Sequence, residues 1–530
     1  VEVRLRAIAL ALGAGALALL VTAISLLPFL ETLPLTFDYR MRQAAVAHGP
    51  EPVAPHAVQT AIRSTFIPYY GGAAWRSLTM EWDVGVARVG SVILALAVIA
   101  TLRLWRRREV RFFALLGIVT MLAGWSWWPV RAVIQRLPLF NMALNDRLGI
   151  AAAFSMSMLA AVAFDQGEGR RLKPAPHVGI VAMVLTIATL ATLHTRLDAH
   201  VDSKLIVAGA AAELIGLGML FAAPRYRHAA VILLIAIAAQ RFVEDSNVYP
   251  AVPRAMFYPR VPLIDKIPRD PLYRVAATGK LLVPNVSAMY GLDDVRGYAS
   301  MTYYPYFLTM PLWCPDAQRV YHDITDLSRP FLSFLGVRYA FTPREAEPPP
   351  GWRVVADDRQ TRLVENTRAI QRVFVPRHIR FIDNHEVTIE EMSAATDFGD
   401  TAWVYTHDVP PHTIDNGVAE LHAAREGSRF EIDADARTAA HIVISETAWP
   451  GWRAYVDGRR VKLDRANRAF LSLYVPAGKH HVRVVYLPDS FVRGRAITFA
   501  TLLALAALAI YRFFAAYQKF PSRSATPPTR

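Results

Sequence analysis

Long apolar runs separated by short basic segments fill the first half of the chain, and the pattern then changes. Nearly uncharged stretches lie near 7–29, 87–104, 112–128, 148–164, 178–194, 204–223 and 228–243, with one more near 496–514. A helix needs about 20 apolar residues to cross a bilayer, so this pattern predicts about eight spans, seven of them in a transmembrane helical domain over 1–243. Residues 244–494 hold no comparable run and are expected to face water. They divide into a mixed α/β region over 244–370, rich in proline and aromatic residues, and a β-sandwich or jelly-roll-like domain over 371–494. A last helix and a basic tail occupy 495–530. The expected fold class is a mixed membrane protein: a polytopic α-helical bundle with a large outward-facing α/β and β-sandwich-like region before the final span.

Within 371–494 the pattern shortens to strand length. Arg372–Phe381, Thr401–Val409, Val418–Ala423, Arg429–Ala434 and His441–Ser445 read as strands, and Val337–Ala340 as an earlier one. Asp457-Gly458 between two alternating runs is the strongest short-range hairpin signal. Ala469–Val475 and His481–Leu487 suggest a second hairpin around Pro476-Ala477-Gly478.

The basic residues order the spans. Arg4 and Arg6, the Arg103–Arg111 group, Arg170, Arg171 and Lys173, Arg225 and Arg227, and the tail residues Arg512, Lys519, Arg523 and Arg530 occupy alternate, short connections. This is the positive-inside pattern, and it puts the block 244–494 outside and the C-terminus in the cytoplasm.

Composition agrees with a chain divided between lipid and water: 530 residues, 53% hydrophobic, with a formal net charge of +14. Much of the positive excess lies beside the spans, where anionic headgroups are the expected partner. No nucleic-acid recognition motif accompanies it, and nucleic acid is excluded as a partner. The single cysteine, Cys314, rules out an intrachain disulfide framework and a multi-cysteine metal site. The chain opens Val1-Glu2-Val3-Arg4 and reads as the later part of a longer protein.

Several words of the sequence carry a family likeness. They include Trp449-Pro450-Gly451-Trp452, Asp457-Gly458, Tyr486-Leu487-Pro488, Pro284-Asn285, Arg296-Gly297-Tyr298 and Leu335-Gly336-Val337-Arg338-Tyr339. Upstream, Leu26–Glu31, Phe66–Gly71 and Leu137-Pro138-Leu139-Phe140 followed by Arg147 join them. The chain resembles the C-terminal portion of bacterial YfhO-family membrane proteins, which belong with the GT-C type glycosyltransferases. The resemblance implies transfer of a sugar from a polyprenyl-phosphate donor to an envelope glycan or lipid-linked acceptor. It also implies that the loop carrying the family's catalytic acid lies upstream of this chain.

Such a site needs a carboxylate as base or metal holder, cations for the lipid phosphate, and a groove. The acidic candidates are Asp38, Glu81 and Asp83. For these the plainer reading is a solvated loop, with Trp82 as an interfacial anchor. Arg147, Arg136 and Arg40 are the candidate phosphate ligands; Arg147 could equally snorkel or pair with Asp146. Glu213 lies inside a predicted span, where it either lines a polar cavity or ties helices together, with Gln240 as a partner. Trp449, Trp452 and Tyr455 offer a stacking surface for an acceptor sugar, or fill a core. No metal-ligand cluster is read, and a divalent metal stays open as cofactor. His480-His481 alternate faces of a strand and make a poor metal pair. A non-catalytic envelope assembly or glycan-binding protein is the alternative; a transporter fits less well, since the spans show no internal repeat.

Overall fold

The computed structural model describes residues 2–48, 55–66, 88–137, 140, 143, 145–169, 183–184, 186–187, 203–222, 228–245, 253–299, 301–315 and 322–518. The chain has a mixed helix-and-sheet architecture and forms two compact units, residues 1–41 with 258–530, and residues 42–257. The division differs from the expected boundary at 243, because the first two helices pack on the last one.

The unit 42–257 is helical. Helices Ser91–Arg103, Arg108–Gly124 and Gly149–Gly169 pack together, as do Ser203–Ala222 and Ala229–Asp245. Small residues permit the close approach: a Cβ on Gly117 would lie 3.2 Å from Ser155 Cβ. A Cβ on Gly90 would collide with the Gln240 amide, and the positive φ of 85° there also favours glycine.

Two described helices are long and apolar enough to cross a membrane, Asn145–Asp165 and Asp489–Ala515, or up to four if each of two bent pairs is one span. The expected eight are therefore not supported. The first predicted span, 7–29, breaks into Glu2–Val21 and Ala23–Thr32 with a bend of 76°. There the Thr22 hydroxyl bonds back to Ala18 O at 2.8 Å, which competes with the helical ladder. The third, 112–128, turns by 98° between Gly124 and Trp128, at Ser126 with φ +54° and just before Pro129. Ser91–Arg103, Ala211–Leu220 and Val231–Phe242 are shorter apolar helices. Most of 178–194 lies outside the described residues.

The unit 1–41 with 258–530 carries three sheets. β1 (Arg274–Ala277), β2 (Val337–Pro343), β3 (Trp352–Asp357) and β4 (Thr361–Asn366) form one, in the order β1-β2-β4-β3 with β1 and β2 parallel. The following strands are β5 (Val373–Phe374), β6 (His378–Ile382), β7 (Thr401–Tyr405), β8 (His412–Asp415), β9 (Ala419–Glu426) and β10 (Arg429–Ala436). Then come β11 (Ala440–Thr447), β12 (Trp452–Val456), β13 (Arg459–Val461), β14 (Asp464–Ala466), β15 (Phe470–Val475) and β16 (Gly478–Tyr486). They build a five-stranded sheet, β13-β12-β16-β10-β9, and a seven-stranded sheet, β5-β11-β15-β14-β7-β6-β8.

Phe430, Ile432, Val482 and Val484 of the five-stranded sheet share one buried cluster with Ile442, Ile444, Leu471 and Leu473 of the seven-stranded sheet. The alternating burial of β10 explains this: its even residues point inward and its odd ones to solvent. A second cluster, with Trp313, Phe331, Phe334, Val404 and Phe470, joins the seven-stranded sheet to the segment before it.

Asp457-Gly458 does form the expected hairpin, β12 to β13, with φ of +51° and +79°. The second expected hairpin is not one. β15 pairs with β11 and β14, whereas β16 pairs with β10 and β12, so Pro476-Ala477 carries the chain from one sheet to the other. The expected strand Arg372–Phe381 is likewise split into β5 and β6 around Pro376, which lacks the N–H a ladder needs.

Candidate functional site

The segment Tyr303-Tyr304-Pro305-Tyr306-Phe307 organises the region between the sheets and the first helices. Tyr304–Phe307 make a single helical turn with Pro305 near its start, where a missing N–H costs nothing. Its side chains therefore point in different directions. Phe307 stacks on Phe37, ring centroids 3.7 Å apart, and Phe37 N–H donates to Thr302 O at 2.8 Å. The Arg40 guanidinium lies over the Tyr304 ring at 5.2 Å. Tyr303 turns the other way: its ring is 4.5 Å from that of Trp449, and its hydroxyl donates to Ala448 O at 3.0 Å.

Tyr303 and Trp449 form one wall of a cavity of about 250 Å³. The polar lining comes from Arg274, Asp294, Arg296, Thr302, His322 and Thr447. Each lining arginine has an acidic neighbour. Arg296, 3% exposed, holds Asp294 through two contacts, Nε to Oδ1 at 3.1 Å and Nη2 to Oδ2 at 2.8 Å. Burial pushes the Asp294 carboxyl up, opposed by that arginine. Arg274 donates to Leu335 O and Ser445 O, both at 2.7 Å, and approaches Glu446 at 3.4 Å. Burial keeps the Tyr306 phenol well above its usual range, and its hydroxyl donates to Val295 O at 2.9 Å.

His322 is 2% exposed. Gly297 N–H donates to its Nδ1 at 3.0 Å, so in the neutral ring the proton sits on Nε2. That Nε2 is buried and has no hydrogen-bond partner. Burial, aided by the charge of Arg296, pushes the imidazole down to about 4, and the ring is neutral at ordinary pH.

Beneath Arg274 lies an ion network that ties the three sheets together. Arg372, 1% exposed, contacts Glu446 at 3.1 Å and also Asp293, while Arg425 of β9 reaches Asp293 at 2.6 Å. Burial alone would raise Asp293, but Arg372, Arg425 and Arg274 outweigh it and hold the carboxyl below its usual range. Burial and the nearby Arg274 push the Arg372 guanidinium down to about 9.

The Trp449-Pro450-Gly451-Trp452 turn joins the cavity to the last helix. Gly451 has φ +111°, and a Cβ there would lie 2.7 Å from Pro488 Cγ. Leu487 N–H donates to Gly451 O at 2.9 Å, and Arg453 meets Asp489 at 2.5 Å, at the start of helix Asp489–Gln518.

The three aromatic candidates are thus not one surface. Trp449 lines the cavity. Trp452 packs toward Phe430 and donates its indole N–H to Thr447 O at 3.0 Å, which is a core role. Tyr455 lies on the opposite face of β12 from Ala454 and Val456, under Arg483 at 4.9 Å. Asp38 is half-buried in the first turn of helix Phe37–His48, two residues before Arg40. Arg136 and Arg147 are exposed residues of the helical unit; Arg147 opens the apolar helix Asn145–Asp165, and its backbone N–H, not its side chain, bonds to Asp146 at 3.0 Å. Glu81 and Asp83 lie outside the described residues.

Glu213, 1% exposed, ties helices together. Its Oε1 accepts from Ser91 N–H and Ser91 Oγ, each at 2.8 Å, and from Gln240 Nε2 at 2.9 Å. Among the described residues, no group of three His, Cys, Asp or Glu side chains stands ready for a metal.

Sequence reasoning missed His322, Asp294 and Arg296 as site residues. Arg296-Gly297-Tyr298 carries family likeness without any sign of a cavity, and His322 has no local signal at all.

The turn, all five strands of the five-stranded sheet and the start of the final helix fall in one matched segment. Residues 416–498 match the family model described as bacterial membrane protein YfhO. The YfhO match includes Trp449–Trp452, Asp457-Gly458 and Tyr486–Pro488, and it runs into one of the two described helices long and apolar enough to cross a membrane. Neither a curated protein nor a solved structure matches the chain.

Proposed function

We propose that this YfhO-like protein serves transfer of a sugar from a polyprenyl-phosphate donor to an envelope glycan or lipid-linked acceptor, and that the Trp449 cavity receives the acceptor sugar. The observation that carries the reading is the cavity itself. It pairs an aromatic wall, suited to a sugar ring's apolar face, with fixed hydrogen-bonding groups, the usual composition of a small-ligand site. It lies two residues from the turn that seats the sheets on a membrane-length helix. In this reading the chain is multi-pass, the sheets face outward and the C-terminus is cytoplasmic. Arg40 in the one unit, and Arg136 and Arg147 in the other, are each candidate cations for a lipid phosphate.

A second reading, a glycan-binding assembly protein without catalysis, draws on Asp294. The cavity's lining carboxylate is held by Arg296 and is poorly placed to act as a base.

Membranes containing the full-length natural protein, given a radiolabelled polyprenyl-phosphate sugar and envelope acceptor, distinguish the readings. Glycosyl transfer is expected, falling at least tenfold in Trp449→Ala through a raised acceptor KM. Binding of acceptor without any transfer favours the assembly role. No transfer and no acceptor binding overturns both.

A further inference from the structure

Among the described residues, one fully buried side-chain atom of the cavity's lining has no hydrogen-bond partner. Asp294 and Arg296 satisfy each other, Arg274 is occupied by Leu335, Ser445 and Glu446, and the hydroxyls of Tyr303 and Tyr306 donate to backbone carbonyls. His322 Nε2 remains, in a ring 2% exposed and fixed from behind by Gly297 N–H at 3.0 Å. A Cβ on Gly297 would make ordinary contact with the imidazole at 3.6 Å, so the ring lies directly against this stretch of backbone. Trp313 packs edge-on against the same ring, centroids 6.1 Å apart. Leaving a buried donor without an acceptor is costly, and native proteins keep few of them without a use.

We infer that His322 reads the ligand of this cavity by donating its Nε2–H to an uncharged oxygen, the amide carbonyl or a hydroxyl of a neutral sugar such as an N-acetylated hexosamine. The inference rests on the acceptor-sugar reading above and adds its chemical class. Three features select a neutral ligand. Both lining guanidiniums are already engaged, Arg296 by Asp294 and Arg274 by Glu446 and two backbone carbonyls, which leaves an anionic sugar little to gain. The histidine itself carries no charge above its low titration point. At about 250 Å³ the cavity takes one ring, with Tyr303 and Trp449 against its face. No proton is transferred; the imidazole is a specificity group, fixed in one tautomer by its backbone partner.

The test is binding of N-acetylglucosamine oligosaccharide to the full chain in lipid nanodiscs, by calorimetry, beside a hexuronic-acid oligosaccharide. Wild-type protein is expected to prefer the N-acetylated sugar, with affinity flat between pH 5.5 and 8. His322→Phe should weaken that binding about tenfold, the size of one lost hydrogen bond. His322→Gln, able both to accept from Gly297 and to donate forward, should recover most of it. Nitrogen NMR of labelled wild-type protein should show a neutral ring with the proton on Nε2, shifting when sugar is added; this readout stands even where a variant fails to fold. Equal affinity in wild type and folded His322→Phe, with loss only in Trp449→Ala, overturns the histidine's role and leaves the cavity reading intact. Tighter binding of the hexuronic sugar, or a proton found on Nδ1, overturns the inference as well. No binding of either sugar by wild type overturns the acceptor reading and the inference together.

Discussion

His480 and His481 are neighbours in β16, yet each has its own acidic partner. Strand alternation sends them to opposite faces, so His480 Nδ1 meets Asp457 at 2.7 Å while His481 lies between Asp433 at 2.7 Å and Glu431 at 3.0 Å. Both imidazoles are raised above the ordinary value, His480 first by its bond to Asp457 and His481 first by its bond to Asp433. A raised histidine stabilises the fold fully below its unfolded pKa of about 6.5, and loses that contribution as pH climbs through the folded value. Both groups are solvent-screened, so the effect is small. The thermal unfolding temperature of the sheets should therefore fall by a few degrees at most between pH 6 and pH 9. His480→Asn with His481→Asn should flatten that slope, and proton NMR should place both midpoints above 6.5. The alternation of the pair along the strand was legible in the sequence. It gave no hint of the carboxylates, which arrive from β10 and from the Asp457 turn.

Among the elements, the broken first helix is the clearest case of a structure that hydropathy cannot see. Residues 7–29 are apolar enough to read as one span, but the chain bends at Thr22 and frees backbone groups there. The last helix supplies their partners: Ile24 N–H donates to Thr498 Oγ1 at 3.0 Å, and Thr498 Oγ1 donates to Val21 O at 3.1 Å. Gly494, one turn earlier, permits the contact, since a Cβ would lie 2.3 Å from Ala23 O. In a bilayer, a break of this kind is tolerated where another helix satisfies the freed groups. Thr498→Val, equal in shape, should cost about 1–3 kcal/mol by leaving Ile24 N–H without an acceptor. Gly494→Val should cost more by forcing the helices apart. Unfolding by heat or denaturant in nanodiscs measures both, and an unchanged melting curve for Gly494→Val would show that the helices do not pack here. The hairpins teach a related lesson. Asp457-Gly458 was legible because its residues dictate the turn. Pro476-Ala477-Gly478 dictates a reversal but not which sheet receives the next strand, and long-range pairing decided that.

For the whole molecule, the sequence conveyed a chain part apolar helix and part sheet, with its C-terminal words of the YfhO type. The number of spans was less legible, because helix length and bending depend on local breaks that a window average smooths over. The candidate cavity was half legible. Trp449 stood out by residue type, whereas Arg274, Asp294, Tyr303 and His322 come from segments far apart in sequence and meet only after the sheets have packed. The Arg274, Arg372 and Arg425 network explains how that meeting is fixed, since it joins β1, β9 and the end of β11 through Asp293 and Glu446. In the proposed function the cavity beside Trp449 holds a sugar. Photoaffinity labelling with a diazirine-bearing neutral envelope oligosaccharide, followed by peptide mapping, checks this. Label is expected on the peptides carrying 294–303, 322 and 447–449, competed by unmodified sugar and lost in Trp449→Ala. Label spread over the exposed sheet faces, or unchanged in Trp449→Ala, would contradict it.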